Sequence, residues 1–264
     1  MPHLFLNRPR KYNLASGQDS AGKELFWESL NAFIYKIGGV IFIFGSVLFF
    51  PAFSAYEDLG AWSFVVGSLL YLLVTGHDLL EVFNARRHRT TPPTIWNRLE
   101  AAAAIAYVTG TVLFIIGSLC FLKRFDQTEV GAYCFIIGSL LFVAGAVVNV
   151  IQIVSAASMI RLQLMNLTAI SFVAGSVLFA VASVPYLWTV ESASDARELF
   201  AYLALLYVIG SALFLLGGIF NYWRALLVIE ALKTRGNKRG DPDDQHGNAL
   251  QQDMRAVLER RLDP

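Results

Sequence analysis

Chemistry in this chain would reside in the polar and ionisable residues that interrupt long apolar runs. Lys36 stands inside the run 33–50, and Asp78 and Glu81 follow the run 60–76. Asn149 and Asn221 lie toward the ends of later runs, and Asn166 near the start of one. An ionisable group within a membrane-length segment is costly and marks a pathway or binding site by default. Asp78, Asn149 and Asn221 each come eleven residues after a recurring glycine, with Glu81, Gln152 and Arg224 three further on. Lys36 precedes Gly45 by nine. If Gly45 and Gly67 are level on antiparallel helices, Lys36 and Asp78 differ in depth by only about 3 Å at the helical rise of ~1.5 Å per residue. Lys36 is then expected to pair with Asp78 or Glu81. Lys36, Asp78, Glu81, Asn149, Asn166 and Asn221 form a candidate polar vestibule for an ion or small solute. The competing reading is a set of helix-end residues at headgroup depth, with Lys36 snorkelling to water.

Other chemistry is scarce. The four histidines, His3, His77, His88 and His246, include no i, i+4 pair, and no helix presents a haem ligand to another. No CxxC, HExxH, GxSxG or phosphate-cradling glycine loop occurs. No catalytic, cofactor-binding or metal-ligating residue is expected, and no cofactor. The two cysteines, Cys120 and Cys134, are not a disulfide framework by count. They read first as small apolar packing residues, and their similar height near one end of adjacent helices leaves a disulfide there as the alternative.

These residues sit in a chain of 264 residues that is 56% hydrophobic and only 16% charged, where soluble domains average about 25%; its mean hydropathy is +0.53. Residues 101–122, 130–160, 162–190 and 199–223 contain no Asp, Glu, Lys or Arg. Each reaches the ~20 residues that cross a hydrocarbon core. With 33–50 and 60–76 they give six transmembrane helices, an all-α integral membrane protein. Solid apolar runs without alternation argue against a barrel. No cleavable leader is visible in the polar first 30 residues. All but Lys36 and three other cations (Lys123, Arg124 and Arg197) flank the helices on the side of the chain termini. The positive-inside rule then places both termini in the cytoplasm, and Trp27, Trp62, Trp96, Trp188 and Trp223 fall near helix ends as an aromatic belt does.

An octet built on Gly-Ser recurs six times: IFGSVLFF (43–50), VVGSLLYL (65–72), IIGSLCFL (115–122), IIGSLLFV (136–143), VAGSVLFA (173–180) and VIGSALFL (208–215). The glycines pair as Gly45 with Gly67, Gly117 with Gly138, and Gly175 with Gly210, so the chain reads as three hairpins in parallel repeat, a ring or a row. An aromatic precedes each second-helix glycine by three: Phe64, Phe135 and Tyr207. Small residues recur every seventh position: Gly38 and Gly45; Gly60 and Gly67; Gly110 and Gly117; Gly131, Gly138 and Gly145; Thr168, Gly175 and Ala182; Gly210 and Gly217. Such rows let backbones approach in lipid, where no hydrophobic drive holds helices together. The serines Ser46, Ser68, Ser118, Ser139, Ser176 and Ser211 are expected to bond back one turn or across to a partner helix, rather than to line a path.

The pattern GS-x-L-F, a short acidic turn, then an aromatic-rich return to GS-x-L-[FY] resembles the YrhK-like domain, a two-helix bacterial membrane module. GSVLFFPAFSAYEDLGAWSFVVGSLLY carries the resemblance best, and GSLCFLKRFDQTEVGAYCFIIGSLLF is similar. The third hairpin departs, with a long turn and Leu203 in place of the glycine at 60 and 131. The resemblance implies an inner-membrane architecture of repeated hairpins and does not point to a mechanism.

The expected organisation is an N-terminal arm (1–30) with an interfacial helix capped at Asp19-Ser20, hairpin 1 (31–83), a basic loop (84–100), hairpin 2 (101–155), a divergent hairpin 3 (162–228) and a tail (229–264). In that tail 233–248 reads as a linker, and 249–262 as an amphipathic helix. Membrane lipids are expected partners, with a membrane protein or a second copy as further ones, and no nucleic acid. The function expected is a non-enzymatic scaffold or accessory subunit. The alternative is a small-solute or ion transporter using the polar helix ends, and a water-filled or a dry interior separates the two.

Overall fold

A computed structural model describes residues 21–87, 92–151 and 159–239. They form six helices: α1 (Ala21–Leu48), α2 (Glu57–Arg87), α3 (Ile95–Cys120), α4 (Thr128–Ile151), α5 (Met159–Ser183) and α6 (Ala193–Arg239). Short 3-10 turns follow α1 at Pro51–Tyr56 and α5 at Val184–Leu187, each with proline in its first turn, where the missing N–H costs nothing. No strand occurs among the described residues. Each helix contains a stretch long and apolar enough to cross a membrane. A helix satisfies its own backbone groups, as hydrocarbon requires.

The chain divides into two units, Met1–Ala225 and Leu226–Pro264. Of the second, residues 226–239 are described, and they are helical. Two expectations change here. α1 runs without a break from Ala21 to Leu48, through the residues expected to form a separate interfacial helix, and residues 233–239 are helical where a linker was expected. Asp19, Ser20, part of the basic loop (88–91) and the 249–262 segment lie outside the described residues.

Within the first unit α1 packs on α2, α2 on α3, α3 on α4 and α4 on α5. α5 meets α6 where a Cβ on Gly175 would stand 3.0 Å from the Gly210 carbonyl oxygen. α6 returns to α1: Ser46 Oγ and Ser211 Oγ are 3.1 Å apart, and the Tyr35 hydroxyl donates to the Phe214 carbonyl at 3.1 Å. The helices thus follow a circuit that ends where it began.

Small residues set the register of each pair. Gly38 faces Gly67, Gly110 faces Gly138 and Gly175 faces Gly210; Gly45 faces Gly60 and Gly117 faces Gly131. The level-glycine premise therefore holds only for the third pair. In the first two, the octet glycines are offset by one heptad. Gly175 stands where Gly38 and Gly110 stand, and Ala182, fully buried, takes the place of Gly45 and Gly117. Ser183 completes the shift by donating to the Phe179 carbonyl at 2.7 Å, as Ser46 donates to Phe42 and Ser118 to Phe114.

This register aligns aromatic side chains every seventh residue along the interior. Phe49 lies 6.2 Å from Phe121, which lies 5.1 Å from Tyr186. Next come Phe64, Phe135 and Tyr207, mutually 6.0, 6.1 and 6.2 Å apart. One heptad further along α1, α3 and α5 are Phe42, Phe114 and Phe179, and along α2, α4 and α6 are Tyr71, Phe142 and Phe214. Phe114 touches Phe179 at 5.5 Å, and Phe142 touches Phe214 at 6.2 Å. Tyr35, Tyr107 and Phe172 follow, with Tyr35 at 6.0 Å from Phe172. Dispersion and quadrupole contacts of this kind, about 0.5–1.5 kcal/mol per pair, supply cohesion that lipid does not. A cavity of about 10 Å³ lies among Phe42, Ser68, Tyr71, Thr111, Phe114, Phe142 and Phe214, room for about one water. At the hairpin-turn end, Lys123 joins two turns: its N–H donates to Asp58 Oδ1 at 2.9 Å and its ammonium to the Ser54 carbonyl at 3.2 Å.

Candidate functional site

Beyond the last aromatic layer the same heptad rows turn polar. Asp78 comes seven residues after Tyr71, Asn149 after Phe142 and Asn221 after Phe214. α2, α4 and α6 therefore each carry a polar residue on the face that carried aromatics, at the end of the bundle where α1 begins. Asp78 is 2% exposed and Asn221 fully buried; Asn149 is partly buried. The Asn149 amide donates to the Tyr107 hydroxyl at 3.1 Å, joining α4 to α3. One turn further, Glu81 is 3% and Arg224 5% exposed, and the Arg224 guanidinium donates to Asn221 Oδ1. Glu100, seven residues before Tyr107, is 8% exposed. On α1 the buried Asn31 amide lies 2.9 Å from His77 Nδ1 of α2.

The bundle thus gathers three carboxylates and a guanidinium from α2, α3 and α6 into a buried polar end. Charge removed from water is held only where hydrogen bonds and counter-charges compensate it. Asp78, Glu81, Glu100 and Arg224 each interact with other groups of the bundle, and Asp78 Oδ2 and Arg224 Nε are buried without a hydrogen-bond partner among the described residues. Gln152, the repeat counterpart of Glu81 and Arg224, lies outside the described residues. No group of three His, Cys, Asp or Glu suited to a metal occurs among the described residues.

Of the expected vestibule, Asp78, Glu81, Asn149 and Asn221 occupy this end. Lys36 and Asn166 do not join them. Lys36 is not paired with Asp78 or Glu81; its ammonium lies 4.6 Å over the ring of Tyr222 on α6. Gly38 is level with Gly67, which leaves Lys36 about nine residues short of Asp78 along α2, and its side chain faces α6 rather than the interior. Asn166 is exposed on the outside of α5. With α5 shifted by a heptad, the counterpart of Lys36 there is Val173. Glu100, Arg224, Tyr107, Asn31 and His77 were missing from the expected set. The heptad spacing from the aromatic rows would have found Glu100 and Tyr107.

Four of the octet serines, and Ser183, behave as seam residues. Ser46, Ser118 and Ser176 donate one turn back at 2.7, 2.6 and 2.8 Å, and Ser46 also meets Ser211. Ser68 and Ser139 are buried with no hydrogen-bond partner for Oγ among the described residues. Cys120 and Cys134 are free and partly buried.

The family model described as YrhK-like protein matches this chain twice, at residues 26–83 and 97–154. The matches cover α1–α2 and α3–α4 in tandem, and the α5–α6 hairpin, with its heptad shift and long turn, lies outside both. No curated protein and no solved structure matches the chain.

Proposed function

We propose, from two YrhK-like segments in tandem on six membrane-length helices, that this protein is a non-enzymatic scaffold or accessory subunit of the inner membrane. Both termini are cytoplasmic in this reading, and the three hairpins are repeats about an axis along the membrane normal. The observation that carries the scaffold role is the stack of aromatic triads on the bundle axis. With Phe64, Phe135 and Tyr207 about 6 Å apart between ring centres, and further layers on either side, the interior offers a partner-binding frame rather than a conduit. The excess of lysine and arginine on the terminal side supports the orientation.

A second reading rests on the buried carboxylates Asp78, Glu81 and Glu100, since ionisable groups at such depth accompany ion or solute movement. Reconstitution in liposomes separates the two. For the scaffold, flux of small ions and solutes equals that of protein-free liposomes, and Asp78→Asn changes nothing. Flux that requires the protein and falls in Asp78→Asn would establish the transporter. Purification of the full chain in mild detergent then identifies the protein it holds.

A further inference from the structure

We infer that the seam between α1 and α6 binds the phosphate of an anionic phospholipid, with Lys36 as its cationic ligand. Lys36 is half-buried on the outer side of α1, and among the described residues it has no carboxylate at ion-pair distance. Side chains on a helix lean toward its N-terminus, which for α1 is the terminal end of the bundle. The ammonium accordingly reaches down the seam to the Tyr222 ring, at 4.6 Å. Tyr222 is itself fixed to α1, its hydroxyl 3.2 Å from Ser29 Oγ. Tyr222 directly follows Asn221, so the ammonium comes to rest at the level where the interior turns polar.

The flanks of this cation are apolar and outward-facing: Phe33 is 59%, Val40 56% and Trp223 57% exposed. A headgroup phosphate at Lys36 would have Phe33 and Trp223 beside it and its acyl chains toward Val40. The other two seams supply an internal comparison. In the register of the aromatic rows, Lys36 corresponds to Val108 on α3 and Val173 on α5, and Tyr222 to Leu79 on α2 and Val150 on α4. Of these three seams, among the described residues, the one between α1 and α6 alone has a cation and a hydroxyl-bearing ring at this register. A cation alone in low dielectric gains most from a charge-assisted bond to phosphate, and cation–π contact with Tyr222 offsets part of its desolvation meanwhile.

The inference does not depend on the scaffold reading. It is tested on the full chain in detergent by native mass spectrometry, titrating dioleoylphosphatidylglycerol against dioleoylphosphatidylcholine. Phosphatidylglycerol binds the wild type with preference. Lys36→Met weakens that binding about fivefold, the value of one cation near anionic lipid, and Lys36→Arg keeps it within twofold. Lys36→Gln serves the same comparison if Lys36→Met does not fold. Arg87→Gln, which removes an exposed cation on α2, leaves it within twofold. Equal binding in Lys36→Met and wild type, or an equal loss in Arg87→Gln, would overturn the assignment. So would displacement of the lipid by millimolar inorganic phosphate, which would mark a free-phosphate site instead.

Discussion

Gly110 and Gly138 pack so closely that a methyl group added to Gly110 would stand 2.9 Å from the Gly138 carbonyl oxygen and 2.7 Å from the Phe142 ring. Backbone and ring both block it, so one of the helices must move. Gly110→Ala and Gly138→Ala are each expected to destabilise the bundle by about 1–3 kcal/mol, the usual cost of overpacking. Gly76 on α2 has nothing within 4 Å of the position its Cβ would take. Gly76→Ala is expected to be neutral or to stabilise by up to about 1 kcal/mol through helix propensity. Thermal unfolding in a single detergent checks all three, and equal effects at Gly76 and Gly110 would contradict the packing described.

The register of α5 predicts an asymmetry among alanine substitutions. Ala182 occupies the place of Gly45 and Gly117, and Gly175 that of Gly38 and Gly110. Ala182→Leu is therefore expected to be severely destabilising, by at least about 1–3 kcal/mol. Gly45→Ala should also destabilise, since its Cβ would meet Phe64 at 2.8 Å. Measured melting temperatures of these two variants check the correspondence.

The hydrogen bond from Asn149 to the Tyr107 hydroxyl links α4 to α3 below the aromatic stack. Tyr107→Phe leaves the ring in place and removes the acceptor. It is expected to cost about 1 kcal/mol, and Asn149→Leu added to it should cost less than the sum of the two changes. A double-mutant cycle on unfolding free energy measures this coupling, and strict additivity would show that the two groups do not interact.

Much of this architecture was legible from residue spacing. The charge-free runs gave six helices, and the seven-residue recurrence of Gly38, Gly45 and their counterparts gave the packing faces. What misled was the octet itself. VAGSVLFA at 173–180 looks like IFGSVLFF at 43–50, yet Gly175 lies 35 residues before Gly210 where Gly45 lies 22 before Gly67. The surplus divides between one added heptad in α5 and a longer turn, and a local motif cannot tell a heptad shift from an extended loop, because both keep the small face aligned. Asn166 was misplaced for that reason. Lys36 was paired with Asp78 on the related premise that Gly45 and Gly67 are level, when the short turns of the first two hairpins hold them a heptad apart. The aromatic rows carried the correct register throughout: Phe172, Phe179 and Tyr186 repeat Tyr35, Phe42 and Phe49 and Tyr107, Phe114 and Phe121. Glu100 escaped notice because it has a carboxylate at the matching position of α1 only, Glu28, and none on α5.

The claim on which the others depend is that the six helices close on themselves, with α6 returning to α1 at Ser46 and Ser211, whose hydroxyl oxygens are 3.1 Å apart. Ser46→Cys and Ser211→Cys, introduced together with Cys120 and Cys134 replaced by alanine, test it in native membranes. Under mild oxidation the account predicts a near-complete intramolecular disulfide, read as a reducible mobility shift of the monomer. Absence of that cross-link in a protein that is inserted and folded, or a cross-link found only between two copies, would contradict the closed ring.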